Sequence, residues 1–406
     1  MTYQNIVLIL YFSISLISLQ LPLNPLFVIH PLTYLSMLIF IILGIVDNEF
    51  KNTHTFVRNL IITYWLYSIF VIFKGVGTAE SYWDYKNIFV TYIPSVIVSF
   101  CIFIGLAFEK NLSLLRFIIK KLFPISLFVG MIFIIFFNKT FFDNDYNHVV
   151  VRLTIPVFFF VLALPYLKRH HQILIILMSI FCLTVDLEWR ANIYRMGVCF
   201  SFVIFYIIFS FRVGRLNFIG TIIFVIPLIF LYLGSIGKYD VFTSLEGSTD
   251  VEEQSSFSGN TRTFLYKEVL DSINNKNTSL LIGTGASGTY STIFFSDAKA
   301  SSYVIQTRYA TEVSFLNTLN HSGIIGVMFD TLLIFITGYL AINRSNNNFS
   351  KLLGLYLFST WILYFIEMPQ SLNLNYFIHY FIIGLCLNNS FRESSNEKIK
   401  SFFKSL

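Results

Sequence analysis

The sequence has few charged side chains. Asp, Glu, Lys and Arg make up 12% of its 406 residues, whereas apolar types make up 55% and the mean hydropathy is +0.70. A soluble domain of this length cannot bury so much apolar surface without leaving a large patch exposed. The composition therefore excludes an ordinary soluble protein and predicts an integral membrane protein.

Cysteine and histidine are also scarce. The four cysteines, Cys101, Cys182, Cys199 and Cys386, all fall within apolar runs, so we expect packing thiols without disulfides. The seven histidines are scattered and no metal-ligand spacing occurs, so we expect neither a metal nor a cofactor. The cations lie between apolar runs, which indicates membrane topology and excludes nucleic acid as the reason for the net charge of +6.

Apolar runs of membrane-spanning length dominate what remains. A spanning helix needs about 20 mostly apolar residues, and the pattern predicts an all-α polytopic membrane protein with about twelve transmembrane helices. The first run lacks a cationic start and a cleavage signature, so we expect a retained span and no signal peptide. The predicted spans are 6–22, 26–46, 59–73, 88–107, 122–137, 149–167, 172–187, 196–211, 216–236, 313–342, 351–368 and 374–388.

The distribution of Lys and Arg predicts the orientation. With the N-terminus inside, sixteen of the 28 cationic residues fall in inner connections, which places both termini in the cytoplasm. Residues 1–236 then hold transmembrane helices 1–9, residues 237–312 form a large periplasmic loop, residues 313–390 hold helices 10–12, and residues 391–406 form a cytoplasmic tail.

The large loop is expected to contain short helices. Residues 262–273 (RTFLYKEVLDSI) carry apolar side chains at helical spacing, which predicts an amphipathic helix on the outer membrane surface. The glycines of LLIGTGASGTY at 280–290 do not predict a nucleotide site, because no strand-helix-strand unit surrounds them. We expect a flexible turn there.

Four segments carry a family resemblance by their order along the chain. They are WRANIYR at 189–195, SGNTRTFLYKEVL at 258–270, NTSLLIGTGASGTY at 277–290 and TEVSFLNTLNHSGIIG at 311–326. This order resembles that of the bacterial O-antigen polymerase and O-antigen ligase superfamily. The resemblance implies a GT-C-like bundle in the inner membrane, acting at the periplasmic face on a glycan carried by undecaprenyl pyrophosphate. It also implies that a chain-length regulator acts with the protein.

Arginines at the outer interface are the expected ligands of the lipid pyrophosphate. Guanidinium groups match phosphate oxygens two at a time and stay charged, so they would hold the substrate and stabilise the leaving group without a metal. Structural alternatives, such as an ion pair with Asp186 or an anchor at the lipid headgroups, stay open for single arginines. The candidates are Arg190, Arg195, Arg262 and Arg308, with Arg152 as a weaker fifth.

Glu312 and His321 are the candidate catalytic groups. Alignment on Gly323 and Gly326 puts Glu312 where ligase-like members carry a histidine and polymerase-like members often carry an acid, which favours a polymerase with Glu312 as base. His321 leaves a ligase-like role open. On one straight helix Glu312 and His321 would point half a turn apart, whereas Arg308 and Glu312 would share a face.

Two other functions remain open. An O-antigen ligase would transfer the finished glycan to lipid A-core. A flippase or other transporter would also have about twelve spans and a charged path, although no internal repeat is detectable. Asp330 lies within a span, where a charge is costly and often marks a pathway, but we expect it in the inner half and away from the outer site.

Overall fold

The computed structural model describes most of the chain in separate stretches. Arg152, Asp186 and Arg262 lie outside them. The described residues are 3–18, 33–34, 41, 48–128, 154–185, 190–209, 211–235, 263–275, 280–292, 306–366 and 371–406.

The described residues are mostly helical. In the first half the α-helices are α1 (Tyr3–Ser18), α2 (Asn48–Lys51), α3 (Thr55–Thr78), α4 (Tyr82–Asn87), α5 (Ile93–Ile97), α6 (Ile102–Leu106), α7 (Leu112–Phe117), α8 (Val157–Leu162) and α9 (Arg169–Val185). They continue as α10 (Arg190–Ile208), α11 (Val213–Ser235), α12 (Thr263–Asn275), α13 (Ser314–Asn343), α14 (Asn348–Ile366), α15 (Leu374–Leu387), α16 (Asn389–Glu393) and α17 (Asn396–Ser405).

Shorter elements complete the described chain. Two strands, β1 (Tyr290–Thr292) and β2 (Gln306–Arg308), pair antiparallel with Tyr290 opposite Arg308, and the sequence pattern did not predict them. The π-helical turns are Ile88–Tyr92 and Ile118–Leu122, and the 3₁₀ turns are Val98–Cys101, Phe108–Asn111 and Leu164–Tyr166.

Five of these helical segments are long and apolar enough to cross a membrane, which is compatible with an all-α membrane protein. Further apolar helices of 10–17 residues are Gln4–Ser15, Arg169–Leu183, Val213–Ile229 and Leu374–Leu387. The total of about twelve spans and the orientation of the termini stay predictions. The five long segments are Thr55–Thr78, Tyr82–Leu106, Ala191–Ile208, Ser314–Asn343 and Asn348–Ile366.

The segment Tyr82–Leu106 changes helix type near its start. A capping box opens it, since the Ser81 hydroxyl accepts from the Asp84 amide and the Asp84 carboxylate accepts from the Ser81 amide. Pro94 has no N–H for an ordinary helical bond, and the π turn Ile88–Tyr92 lies directly before it. Such π turns are frequent at functional sites, and four residues of the segment Tyr82–Leu106 line the cavity described below.

The centre of the bundle is formed by α13, α14 and α15. Helix α14 is apolar around its whole circumference and nearly all of it is buried, as expected of a helix enclosed by others. Helix α13 packs against α14, α3 and α15. Helices α6 and α15 cross through Gly105 and Gly384, where the two backbones approach closely. These contacts fix the helices around the candidate site.

Helix α12 confirms the amphipathic helix predicted at 262–273, but its apolar face packs against the helix bundle and not against the membrane surface. Leu265, Val269 and Ile273 are buried in a cluster with Phe315 and other side chains of the bundle. The expectation that this face rests on the membrane surface is wrong, because the protein itself covers it.

Candidate functional site

Helix α13 is broken in its first half. Gly323 has φ 66° and ψ −167°, a conformation that belongs to no helix. Thr318 and Asp330 would lie about 18 Å apart along a straight helix, yet the Thr318 hydroxyl donates to Asp330 Oδ2 at 3.3 Å. The chain therefore folds back at Gly323 into a short arm, residues 314–322, and a long arm, residues 324–343.

The lengths of the two arms indicate their roles. The long arm is about 30 Å long, which matches the hydrocarbon core of a bilayer, whereas the short arm is less than half that length. The arms approach closely at Gly326, where a β-carbon would lie 3.2 Å from Cγ2 of Thr318. The short arm thus has the geometry of a re-entrant helix packed against a spanning one.

The glycine-rich loop 280–290 fills the break. A broken helix leaves carbonyl and amide groups without their helical partners, and inside a membrane these groups must be satisfied by protein. The loop supplies partners on both sides of Gly323. The four backbone bonds are Thr284 N to Asn320 O at 2.7 Å, Gly285 N to His321 O at 2.9 Å, Ile324 N to Leu280 O at 3.0 Å and Ile325 N to Leu281 O at 3.1 Å. The expectation of a flexible turn is wrong, because these bonds hold its backbone in place.

Helix α3 holds the same loop from its other side. The contacts run from the loop backbone to the last two turns of the helix, and Gly75 allows the close approach because a β-carbon there would lie 2.6 Å from the Ala286 nitrogen. The bonds are Ala286 N to Val71 O at 3.1 Å, Lys74 Nζ to Gly283 O at 2.5 Å and Ser287 Oγ to Gly75 O at 2.9 Å.

A glycine pair on α3 tests this contact. We expect Gly75→Ala to lower the free energy of unfolding by about 1–3 kcal/mol, because the new methyl group overpacks the backbone of loop 280–290. Gly77→Ala is the matched control, since a β-carbon there meets nothing within 4 Å. Thermal unfolding of both variants in one detergent measures the difference. Equal melting temperatures would contradict the packing of the loop against α3.

The fold-back encloses a polar cavity of about 160 Å³ between α3, the segment 82–106 and α13. The short arm contributes positions 317, 318, 321 and 322, which share one helix face. Twelve lining side chains are polar, and nine of these carry hydroxyl groups. They are Tyr64, Tyr67, Ser68, Thr91, Tyr92, Ser95, Asn317, Thr318, His321, Ser322, Asp330 and Ser371.

Asp330 lies where this cavity meets a deeper one. The deeper cavity is about 20 Å³, and its polar lining consists of Asp330, Thr360, Tyr364, Tyr376, His379 and Tyr380. The expectation that Asp330 lies away from the site is wrong, because the fold-back brings it beside the short arm. The available signal was a carboxylic acid in an apolar run seven residues after a glycine that could break the helix.

His321 links three segments of the chain. Its Nε2 lies 3.2 Å from the Gly288 carbonyl oxygen, and the ring also hydrogen-bonds to the backbone of Tyr309. Since a carbonyl group only accepts, Nε2 carries a proton in this contact. His321 lines the cavity, but its ring is already hydrogen-bonded to the backbone of Gly288 and of Tyr309.

Arg308 and Glu312 do not lie on a helix. Arg308 ends strand β2, Val313 is extended, and α13 begins only at Ser314. The interpretation that Arg308 and Glu312 share a helix face is therefore wrong. Glu312 is exposed, and it does not line the polar cavity.

The structure nevertheless gathers charges around Tyr290, the strand partner of Arg308. Burial raises the pKa of the Tyr290 hydroxyl, Arg308 lowers this pKa, and Glu268 and Glu312 raise it. All three charged groups thus act on one hydroxyl, and we call Glu268, Arg308 and Glu312 the Tyr290 charge cluster. Ala310, between Arg308 and Glu312 in sequence, lines the polar cavity, so the backbone that carries these two residues passes beside the cavity.

The structure does not bring the other candidate arginines into contact with Arg308 among the residues that it describes. Arg195 is only 4% exposed and donates to Asn192 Oδ1 at 3.0 Å. Arg190 is the first residue of α10, and its side chain, like Arg152 and Arg262, lies outside the described part of the chain.

The chain matches no protein-family model, no curated protein and no solved structure. Within the described ranges, no group of three or more His, Cys, Asp or Glu side chains has the geometry of a metal site.

Proposed function

We propose that the chain is an O-antigen polymerase of the bacterial inner membrane, a glycosyltransferase that joins lipid-linked repeat units at the periplasmic face. The donor is the growing glycan on one molecule of undecaprenyl pyrophosphate. The acceptor is a single repeat unit on a second molecule of this lipid. The observation that carries the proposal is the contact between loop 280–290 and the broken helix α13. These are two of the segments on which the family resemblance rests, and the loop binds the backbone of α13 at His321, a residue that lines the polar cavity.

The chemistry of the cavity fits a polyhydroxylated substrate. Hydroxyl and amide side chains both donate and accept hydrogen bonds, so they can pair with the hydroxyl groups of a sugar. Among the described residues the lining of the polar cavity contains no Lys or Arg, whereas the Tyr290 charge cluster beside it contains Arg308. In the proposed complex a sugar of the glycan pairs with the polar side chains of the cavity, and the pyrophosphate binds Arg308, where a charge-assisted bond would stabilise the leaving group.

Arg308 provides a test of pyrophosphate binding. We expect Arg308→Gln to lower kcat/KM for the lipid-linked donor about ten- to a hundredfold, since a hydrogen bond to a charged group contributes about 1.5–3 kcal/mol. Initial rates with purified protein and a fixed acceptor concentration measure this. Arg116→Gln is the control, because Arg116 is an exposed cation outside both cavities. Equal losses in the two variants would indicate a general charge effect.

Surface glycans of cells lacking the gene test the proposed activity. Loss of a polymerase leaves single repeat units attached to lipid A-core, because flipping and ligation still occur. Loss of a ligase leaves no glycan attached, and loss of a flippase keeps the repeat units at the cytoplasmic face. Gel analysis of lipopolysaccharide separates these results, and only the single-repeat pattern supports the proposal.

A transporter is the second candidate, and one observation favours it. Discontinuous helices around a polar site within the membrane are common in secondary transporters, and α13 is broken next to the buried Asp330. A transporter would move the lipid-linked glycan across vesicle membranes without lengthening it.

A further inference from the structure

The proposed reaction needs a group that takes the proton of the attacking acceptor hydroxyl. Resting on the proposed function, we infer that Asp330 is this catalytic base and that the acceptor sugar enters the polar cavity to reach it. The inference follows from where the three candidate groups lie.

Asp330 is the only carboxylic acid among the described residues that line the polar cavity. Glu312 is exposed and outside that lining. His321 lines the cavity, but its ring hydrogen-bonds to the backbone at Gly288 and Tyr309. A base must come within hydrogen-bonding reach of the proton it removes, and the cavity provides this access to Asp330.

The carboxylate of Asp330 is held in a defined orientation. Tyr364 from α14 donates to Oδ2 at 2.7 Å, and Thr318 from the short arm donates to the same oxygen at 3.3 Å. These bonds join three helical segments at the carboxylate. Positioning by neighbouring hydrogen bonds is what a catalytic group requires.

The inferred step conserves atoms and charge. The acceptor hydroxyl oxygen forms a bond to the anomeric carbon of the donor as the bond between this carbon and the pyrophosphate oxygen breaks. The proton of the hydroxyl passes to the Asp330 carboxylate, and the electron pair of the broken bond leaves with undecaprenyl pyrophosphate. Asp330 then returns its proton to water through the cavity.

The test compares Asp330→Asn with a neighbouring control. We expect Asp330→Asn to lower kcat about 100- to 10,000-fold, the range typical of a lost general base, while KM for the acceptor changes far less. Thr331→Ala is the control, because Thr331 follows Asp330 on the long arm and, among the described residues, its hydroxyl bonds within its own helix, to the Val327 carbonyl at 2.6 Å. It should retain wild-type kcat. Purified protein, single lipid-linked repeat units and gel separation of the products give both constants.

Two further variants keep the test decisive. Asp330→Glu restores a carboxylate. If the Asp330→Glu protein is folded, we expect its kcat to be at least tenfold higher than that of Asp330→Asn. Glu312→Gln should lower kcat less than Asp330→Asn does. A folded Asp330→Asn protein with normal kcat, or the larger loss in Glu312→Gln, would overturn the inference while leaving the polymerase proposal intact. Failure of the wild-type protein to form any linkage would instead overturn the proposed function.

Discussion

Replacing Gly323 by alanine is expected to disrupt the candidate site and to abolish glycan polymerisation. Gly323 has φ 66° and ψ −167°, a backbone region open essentially to glycine alone, which costs another residue about 1–3 kcal/mol. Its β-carbon would also lie 2.5 Å from the Gly283 nitrogen and would press on the Leu281 carbonyl. Because both contacts are backbone atoms, they cannot rotate away, and overpacking adds about 1–3 kcal/mol. We expect a total loss of about 3 kcal/mol.

The measurement for Gly323→Ala is thermal unfolding in detergent together with surface glycan length in cells. Gly214→Ala on α11 serves as the control, since a β-carbon there meets nothing within 4 Å. Alanine favours a helix over glycine by about 1 kcal/mol, so the control should be neutral or slightly stabilised. A Gly323→Ala protein with wild-type melting temperature and full-length glycans would show that the break in α13 is not needed.

The second large effect is expected at the crossing of α6 and α15. A β-carbon on Gly384 would lie 2.9 Å from the Gly105 Cα and would press on the Ile102 carbonyl. Gly384→Ala should therefore push the helices apart, with a loss of about 1–3 kcal/mol from overpacking. Helix α15 carries Tyr376 and Tyr380, which line the deeper cavity, so activity should fall as well.

A glycine on α10 provides the comparison for Gly384→Ala. Gly197 lies within that helix, and a β-carbon there meets no atom within 4 Å. Gly197→Ala should keep both its melting temperature and its activity. If Gly384→Ala behaves in the same way, the close helix crossing does not contribute to stability.

Local patterns predicted the parts of the fold that depend on local physics. The apolar runs indicated membrane helices, and the spacing of Leu265, Val269 and Ile273 predicted α12 correctly. The same pattern did not reveal that the bundle covers this face, because lipid and protein interiors are both apolar surroundings for such side chains. The surroundings of α12 depend on contacts distant in sequence.

The broken helix shows the same limit. Gly323 stands in an apolar run, where a single glycine is usually tolerated within a helix. Its role becomes apparent only with loop 280–290, whose backbone bonds replace those that the break removes. The sequence therefore placed Asp330 far from His321, whereas the fold-back puts both in one cavity. The assignment of arginines to the pyrophosphate stays a prediction.

Reconstitution of the wild-type protein tests the central proposal most directly. Purified protein in lipid vesicles would receive single undecaprenyl-pyrophosphate-linked repeat units and no other protein. The account predicts a ladder of products that differ by one repeat unit, with one molecule of undecaprenyl pyrophosphate released for each linkage. Products that remain single repeat units while crossing the vesicle membrane would contradict it.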